Sequence, residues 1–91
     1  MEANVTWIIP DDVVFRELSG EAVILNLATG TYFGLNEVGT RVWSLLAEKQ
    51  SMEDIVKALL AEFGVLEDVL RKDVGELMKQ LHEKGLVKPL A

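Results

Sequence analysis

The chain has 91 residues and no cysteine, and its 15 acidic and 9 basic residues give it a net charge of −6. This length supports a single domain, residues 1–91, built on one modest core, and without thiols the chain forms no disulfide, thiolate metal site or cysteine nucleophile. The acidic balance argues against nucleic acid as the main partner, because its binders need cations to replace phosphate counterions.

No segment of the sequence predicts targeting to a membrane. The N-terminus, Met1-Glu2-Ala3-Asn4, lacks the basic region of a secretory signal. Apolar runs such as Val23-Ile24-Leu25 are far too short to span a bilayer. We therefore expect a cytoplasmic protein with no membrane partner.

Residues 1–11 form an N-terminal extension. Its apolar alternation from Val5 to Ile9 suits a short edge strand, which Pro10 would end. We expect Trp7 to fold back onto the core.

Three short strands follow, joined by two tight turns that contain glycine. Val13 to Leu18 is rich in β-branched and aromatic residues and predicts the first strand. Ser19-Gly20 is a two-residue turn of the kind that joins antiparallel strands, and Glu21 to Leu27 is the returning strand. Ala28-Thr29-Gly30 turns the chain again, and Thr31 to Leu35 is the third strand of the sheet.

Two helices begin with side chains suited to capping. Asn36 is the N-cap candidate of a first helix that runs to about Glu48, and Ser51 opens a capping-box pattern for the second. Gly64 ends the second helix. Apolar residues at helical spacing mark the inner faces of both helices: Val38, Val42, Trp43, Leu45 and Leu46, then Met52, Ile55, Val56, Leu59, Leu60 and Phe63.

The third helix runs from about Glu67 to Lys84. Its inner face is predicted to contain Leu70, Val74, Leu77 and Leu81. Gly85 is a candidate left-handed cap, with Leu86 touching Leu81 across it, as a Schellman ending requires. The predicted fold is therefore α+β: a three-stranded antiparallel sheet followed by three helices, a winged helix-turn-helix-like layout.

Motifs that carry chemistry are missing from the sequence. His82 is the only histidine, and without cysteines it builds no zinc site of the usual kind. No serine lies in a nucleophile elbow, and no glycine-rich phosphate loop is present. The carboxylates cluster at helix starts, where they suit the helix dipole. We expect a protein that is not an enzyme and that needs no metal or cofactor.

Three helices and a hairpin resemble winged helix-turn-helix proteins, which would suggest a DNA-binding function. The third helix carries Arg71, Lys72 and Lys79, but it also carries Glu67, Asp68, Asp73, Glu76 and Glu83. A recognition helix with this acidic content would repel phosphate along most of its length. The sequence argues against DNA as a partner.

Three glycines remain that no predicted turn explains, namely Gly34 in the third strand and Gly39 and Gly75 within helices. A glycine inside a helix costs about 1 kcal/mol relative to alanine. Two interpretations stay open: tight packing between elements, or, for Gly34 especially, close approach by an outside backbone.

Over residues 12–88 the chain resembles the PqqD-like family, also known as the RiPP recognition element. The segments that carry the resemblance are Val23-Ile24-Leu25-Asn26-Leu27-Ala28-Thr29-Gly30, Tyr32-Phe33-Gly34-Leu35-Asn36-Glu37-Val38-Gly39, Val42-Trp43-Ser44-Leu45-Leu46, Ile55-Val56 with Leu59, Phe63-Gly64-Val65, Asp73-Val74, and Leu81 through Gly85-Leu86-Val87. The run from the glycine turn to Trp43 is the specific part.

The resemblance implies a non-catalytic peptide chaperone. Members bind the leader segment of a ribosomally made precursor peptide and present it to a modifying enzyme, such as a leader peptidase, a cyclase or a radical-SAM protein. They serve pathways that include those of lasso peptides and pyrroloquinoline quinone. The leader adds as a strand to the third strand of the sheet and lies against the third helix.

Carried over to this chain, the resemblance implies a peptide-binding site made of one strand and one helix flank. The strand residues are Thr31, Tyr32, Phe33, Gly34 and Leu35, and the helix residues are Val69, Asp73, Glu76, Leu77 and Gln80. Asp73 and Glu76 would pair with basic leader residues, although an ordinary solvated role for them stays open. The opposite flank, with Arg71, Gly75, Met78 and His82, is the fallback assignment.

One departure from the family concerns the start of the third helix. Members often carry a capping Asp or Asn there, whereas this chain has Val65-Leu66. The missing cap removes about 1 kcal/mol of support. Leu66 would instead either seal the core or meet the peptide.

Two further alternatives stay open at this stage. The chain is either a leader-peptide binder or an adaptor domain that docks on a partner enzyme without binding a peptide. It is either a monomer or a homodimer formed through exposed strand edges.

Overall fold

In the computed structural model, which describes residues 6–90, three antiparallel strands form a sheet in the order β2-β3-β4. These strands are β2 (Val13–Leu18), β3 (Glu21–Asn26) and β4 (Tyr32–Leu35). Three helices follow, and this arrangement confirms the predicted α+β fold.

Both turns of the sheet adopt left-handed backbone conformations. Ser19 and Gly20 have φ values of 55° and 81°, which identifies the type I′ turn that matches the twist of a hairpin. In the second turn Gly30 has a φ of 78° and donates its N–H to Asn26 O at 2.8 Å, while Asn26 N donates to Thr31 O at 2.8 Å. This pair of bonds is a G1 bulge, so Thr31 belongs to the turn and β4 begins one residue later than predicted.

The helices are α1 (Glu37–Ala47), α2 (Met52–Phe63) and α3 (Glu67–Glu83), each within one residue of its predicted bounds. None of the helices within residues 6–90 combines the length and the apolar character that crossing a membrane requires.

The predicted caps of α1 and α2 are confirmed. Gly39 N donates to Asn36 Oδ1 at 2.8 Å, and Asp54 N donates to Ser51 Oγ at 3.1 Å. Gly64 ends α2 with a φ of 61°. By contrast, Leu66 begins α3 without a side-chain cap, and 75% of it is exposed, so it does not seal the core.

The Schellman ending of α3 is also confirmed. Gly85 has a φ of 71° and donates to His82 O, while Leu86 N donates to Leu81 O at 2.9 Å. Leu81 and Leu86 are both fully buried. The chain is thereby turned into its last strand at a defined angle.

One hydrophobic core lies between the sheet and the helices. Its largest fully buried side chains are Trp43, Ile24, Leu46, Met52, Ile55, Leu59, Met78, Leu81 and Leu86. The predicted inner face of α3 omitted Met78, which is buried to 2% exposure, whereas Leu77 is partly buried and packs against the core as predicted. Trp7 lies beside Met78 and covers that flank of the helix, which leaves Leu77 at the opposite margin of the core.

The N-terminal extension pairs with the C-terminus rather than with the main sheet. The strand β1 (Trp7–Ile8) is antiparallel to β5 (Lys88–Pro89), a strand that the sequence did not predict. Trp7 folds back as expected, and its ring meets His82 edge-on with centroids 5.2 Å apart. Val5, where the predicted alternation begins, lies outside the described residues.

A buried amide joins the sheet to the end of α3. Asn26 is 7% exposed; its Nδ2 donates to Gly85 O at 2.9 Å, and its Oδ1 accepts from Ala28 N at 2.8 Å. A second bond to the same oxygen comes from Thr29 N at 3.2 Å. The side chain therefore fixes the β3–β4 turn against the C-cap of α3.

We expect Asn26→Ala to lower the free energy of unfolding by about 2 kcal/mol, because it leaves Gly85 O and the turn amides without partners in a buried place. Urea unfolding monitored by circular dichroism measures the change. Gln80→Ala is the matched control, since it removes an exposed amide and should change stability by less than about 0.5 kcal/mol. Equal effects of the two substitutions would contradict this role of Asn26.

We expect Leu66→Asp to raise the free energy of unfolding by about 1 kcal/mol, because the carboxylate would accept from the uncapped amides at the start of α3. Leu66→Ala is the comparison, because it removes the same exposed side chain without adding a cap. The same denaturation experiment separates them, and an aspartate variant no more stable than the alanine variant would refute the account.

Candidate functional site

An apolar groove of about 340 Å³ lies beside β4. It is lined by residues of β4, α1, the end of α2, the α2–α3 connection and α3. The lining side chains that are apolar are Phe33, Leu35, Val38, Val42, Phe63, Val65, Val69, Leu70, Val74 and Leu77. Surfaces of this kind remove apolar ligand groups from water, at about 1.5–3 kcal/mol for each large side chain that becomes fully buried.

Of the described residues that line the groove, Asp73 is the only charged one. It is exposed on the rim of α3. At the start of β4 the ammonium of Lys84 lies 6.0 Å above the ring centroid of Phe33. The groove therefore has an apolar interior with one acidic group on its rim and a basic group near the ring of Phe33.

Among residues 6–90, no strand pairs with β4 on the side away from β3. The bond from Asn26 N to Thr31 O makes these two residues a hydrogen-bonded pair, and in antiparallel strands such pairs alternate. Phe33 and Leu35, paired with Ile24 and Ala22, therefore bond to β3. The N–H and C=O groups of Tyr32 and Gly34 point to the free edge.

Two of the three glycines that no turn explains, Gly39 and Gly34, differ in their surroundings. A Cβ built on Gly39 would lie 3.2 Å from Leu35 Cδ2, so tight packing explains this position. A Cβ built on Gly34 would meet nothing within 4 Å, so the fold itself does not require glycine there.

The structure brings together six of the ten residues predicted for the site. Those that line the groove are Phe33, Gly34, Leu35, Val69, Asp73 and Leu77. Thr31 lies in the bulge, Tyr32 is exposed on the face of the sheet away from the helices, and Gln80 is exposed. Glu76 lies at a different opening, beside Trp7, Arg71 and His82.

The fallback flank of α3 is occupied by other parts of the chain. Arg71 donates to both carboxylate oxygens of Glu53, at 3.2 and 3.0 Å, and to Glu67 at 2.8 Å. These hydrogen bonds raise the pKa of the Arg71 guanidinium and lower the pKa of the Glu53 carboxyl. With His82 packed on Trp7 and Met78 buried, this flank holds α3 against α2 and the N-terminal strand.

Eight residues that line the groove were not among those predicted for the site, and three of the eight are apolar side chains that are not fully buried: Val38, Phe63 and Val65. Two of them, Val38 and Phe63, were assigned to the inner faces of their helices, where they are only partly buried. Val65 had a usable signal, because an apolar pair at Val65-Leu66 replaces the polar cap that the helix start favours.

The groups that line the groove are suited to binding rather than to bond-breaking chemistry. Asp73 is its sole titratable side chain within the part of the chain that the structure describes. Residues 6–90 contain no group of three or more histidine and acidic side chains that could hold a metal ion.

Comparisons with known proteins point to one family. The family model described as coenzyme PQQ synthesis protein D (PqqD) matches residues 21–87. The chain is 42% identical to TbiB1, whose structure was solved in complex with the TbiA(beta) leader peptide; the match covers 92% of this chain and 98% of that chain, with a TM-score of 0.85. No curated protein sequence matches.

A second solved structure, lasso peptide synthetase B1 complexed with the leader peptide, shares the fold. It is 21% identical, with a TM-score of 0.81, and the match covers 92% of this chain and 99% of that chain. The family match includes β3, β4 and all three helices, which are the elements that form the groove and its free edge. The chain belongs to the PqqD family.

Proposed function

We propose that this protein binds the leader segment of a ribosomally made precursor peptide as an added strand on β4. The observation that carries the proposal is the free hydrogen-bonding edge of Tyr32 and Gly34 directly beside an apolar groove. An extended peptide satisfies both features together: its backbone pairs with the edge, and every second side chain enters the groove. The leader complexes of TbiB1 and of lasso peptide synthetase B1 support this proposal.

The free edge and the apolar groove contribute unequally to the free energy of binding. A hydrogen bond gains about 1 kcal/mol net, so pairing with Tyr32 and Gly34 supplies on the order of 4 kcal/mol. Micromolar affinity requires about 8 kcal/mol after the cost of ordering the peptide. The apolar groove must therefore supply the larger part. Backbone pairing sets the register, and the groove between Phe33 and Leu77 selects the leader.

The sheet has a second free edge, on β2, which suits a peptide less well. Leu27 N donates to Asp12 O, so by alternation Phe15 and Glu17 point their backbone groups outward on β2. Val13 N is already bonded to Pro10 O, and charged side chains such as Glu17 deter strand pairing. The apolar groove lies at β4.

Asp73 would give the site a preference for leaders that carry a basic side chain. No other residue within 6–90 that lines the groove is charged, and a basic side chain of the leader would pair with Asp73 at the rim. Such an exposed pair contributes about 0–1 kcal/mol, which selects between leaders without dominating affinity. Val69 and Leu77 lie on the same margin of α3 and would contact apolar side chains of the leader.

The proposed role is non-catalytic. The protein holds the leader so that the rest of the precursor reaches a modifying enzyme, such as a leader peptidase, a cyclase or a radical-SAM protein. An extended peptide paired with β4 would leave its ends free for such an enzyme.

The test combines titration calorimetry with NMR amide exchange, using the leader of any short precursor peptide encoded beside the gene. We expect binding in the micromolar range or tighter, about −8 kcal/mol. Because the leader pairs with the outward groups of β4, the amides of Tyr32 and Gly34 should exchange at least tenfold more slowly in the complex. Phe33 and Leu35, already paired with β3, should change much less.

The outward amides of β2, Phe15 and Glu17, are the internal control and should not change. New protection there instead of on β4 would move the peptide to the other edge and refute the proposed site. Absence of binding to the leader would favour the adaptor function, in which the domain docks on the enzyme alone.

A further inference from the structure

The outer face of the sheet, turned away from the helices, contains a hollow next to the free edge of β4. This outer hollow has a volume of about 530 Å³, and its walls include Arg16, Leu18, Glu21, Val23 and Gly34. Gly34 lines both the outer hollow and the groove on the opposite face, so the two are separated only by the backbone of β4.

Nothing in the fold explains why residue 34 lacks a side chain. Its backbone is not in the left-handed region, and an added Cβ would meet open space. A glycine inside a strand weakens the strand, which leaves close approach by another group as the remaining reason for it. The partner of Gly34 on the neighbouring strand β3 is Val23, which is 53% exposed.

An added strand would have a second set of side chains that point to this outer face. The residue hydrogen-bonded to Gly34 has its side chain on the same face as the missing Cβ. Because Gly34 has no side chain, a large side chain of the added strand would lie across the backbone of β4 and cover Val23. Aromatic residues opposite glycines in antiparallel sheets use this arrangement.

We infer that the outer hollow is a second subsite for the leader, which takes one large uncharged aromatic side chain from the outward face of the added strand. This inference rests on the proposed function. The floor of the subsite is apolar, with Val23 and Leu18 exposed on it. Arg16 and Glu21 stand on its walls with opposite charges, so neither an acidic nor a basic side chain is favoured over a neutral one.

The test is an alanine scan of the leader encoded beside the gene, read by titration calorimetry on the wild-type protein and on Gly34→Leu. In the wild-type protein, one aromatic residue of the leader should raise Kd at least tenfold when it is replaced by alanine. This residue should be next in sequence to a leader residue whose side chain enters the groove. In Gly34→Leu, where leucine fills the hollow, the same replacement should change Kd less than threefold. Equal effects in both proteins, or no sensitive outward residue, would overturn the inference.

A second pair of variants keeps the test independent of how Gly34→Leu folds. Val23→Thr removes apolar surface from the hollow and should weaken binding of the unaltered leader about fivefold. Val14→Thr makes the same change on the same face of the sheet, but Val14 lies on β2, which β3 and β4 separate from the peptide. This variant should leave Kd unchanged. Equal Kd values for the two variants would also overturn the inference. A leader that does not bind the wild-type protein refutes the proposed function and this subsite with it.

Discussion

The arrangement of the candidate site depends on the G1 bulge where Gly30 and Thr31 meet Asn26. Two bonds there set the register of β4: Gly30 N to Asn26 O, and Asn26 N to Thr31 O. This register fixes which residues along β4 bond to β3 and which face each side chain takes. Phe33 and Leu35 therefore face the helices, while the backbone groups of Tyr32 and Gly34 face the free edge. Because the Asn26 side chain also binds Gly85 O, the same residue positions α3 relative to that edge.

The groove exists because the core is incomplete along one margin of α3. Arg71 and His82 hold the opposite margin against α2 and Trp7, and Met78 is buried there. Val69 and Leu77 are left partly exposed beside β4, where no element of the described chain covers them. An apolar margin next to unpaired backbone groups is what an extended peptide requires, and a helical ligand would leave those backbone groups unpaired.

Much of the fold followed from local chemistry that the sequence displays. Asn36 and Ser51 cap their helices, and Gly64 and Gly85 end theirs, because such positions need short polar side chains or left-handed backbone. The β1–β5 pair escaped prediction because so short a ribbon, with Pro89 in it, has no pattern of its own. Met78 was missed because helical spacing alone does not say which flank of α3 Trp7 covers, and Glu76, which was predicted for the site, lies at the opening beside Trp7 rather than in the groove.

The central claim, that a peptide joins the sheet as a strand on β4, is tested most directly by N-methylating the leader amides one at a time. Only every second residue of an added strand points its N–H toward β4, so calorimetry should show loss of binding at alternate positions, with near-normal Kd between them. A loss that follows helical spacing, or methyl groups tolerated at every position, would contradict strand addition and leave the groove as a site for side chains alone.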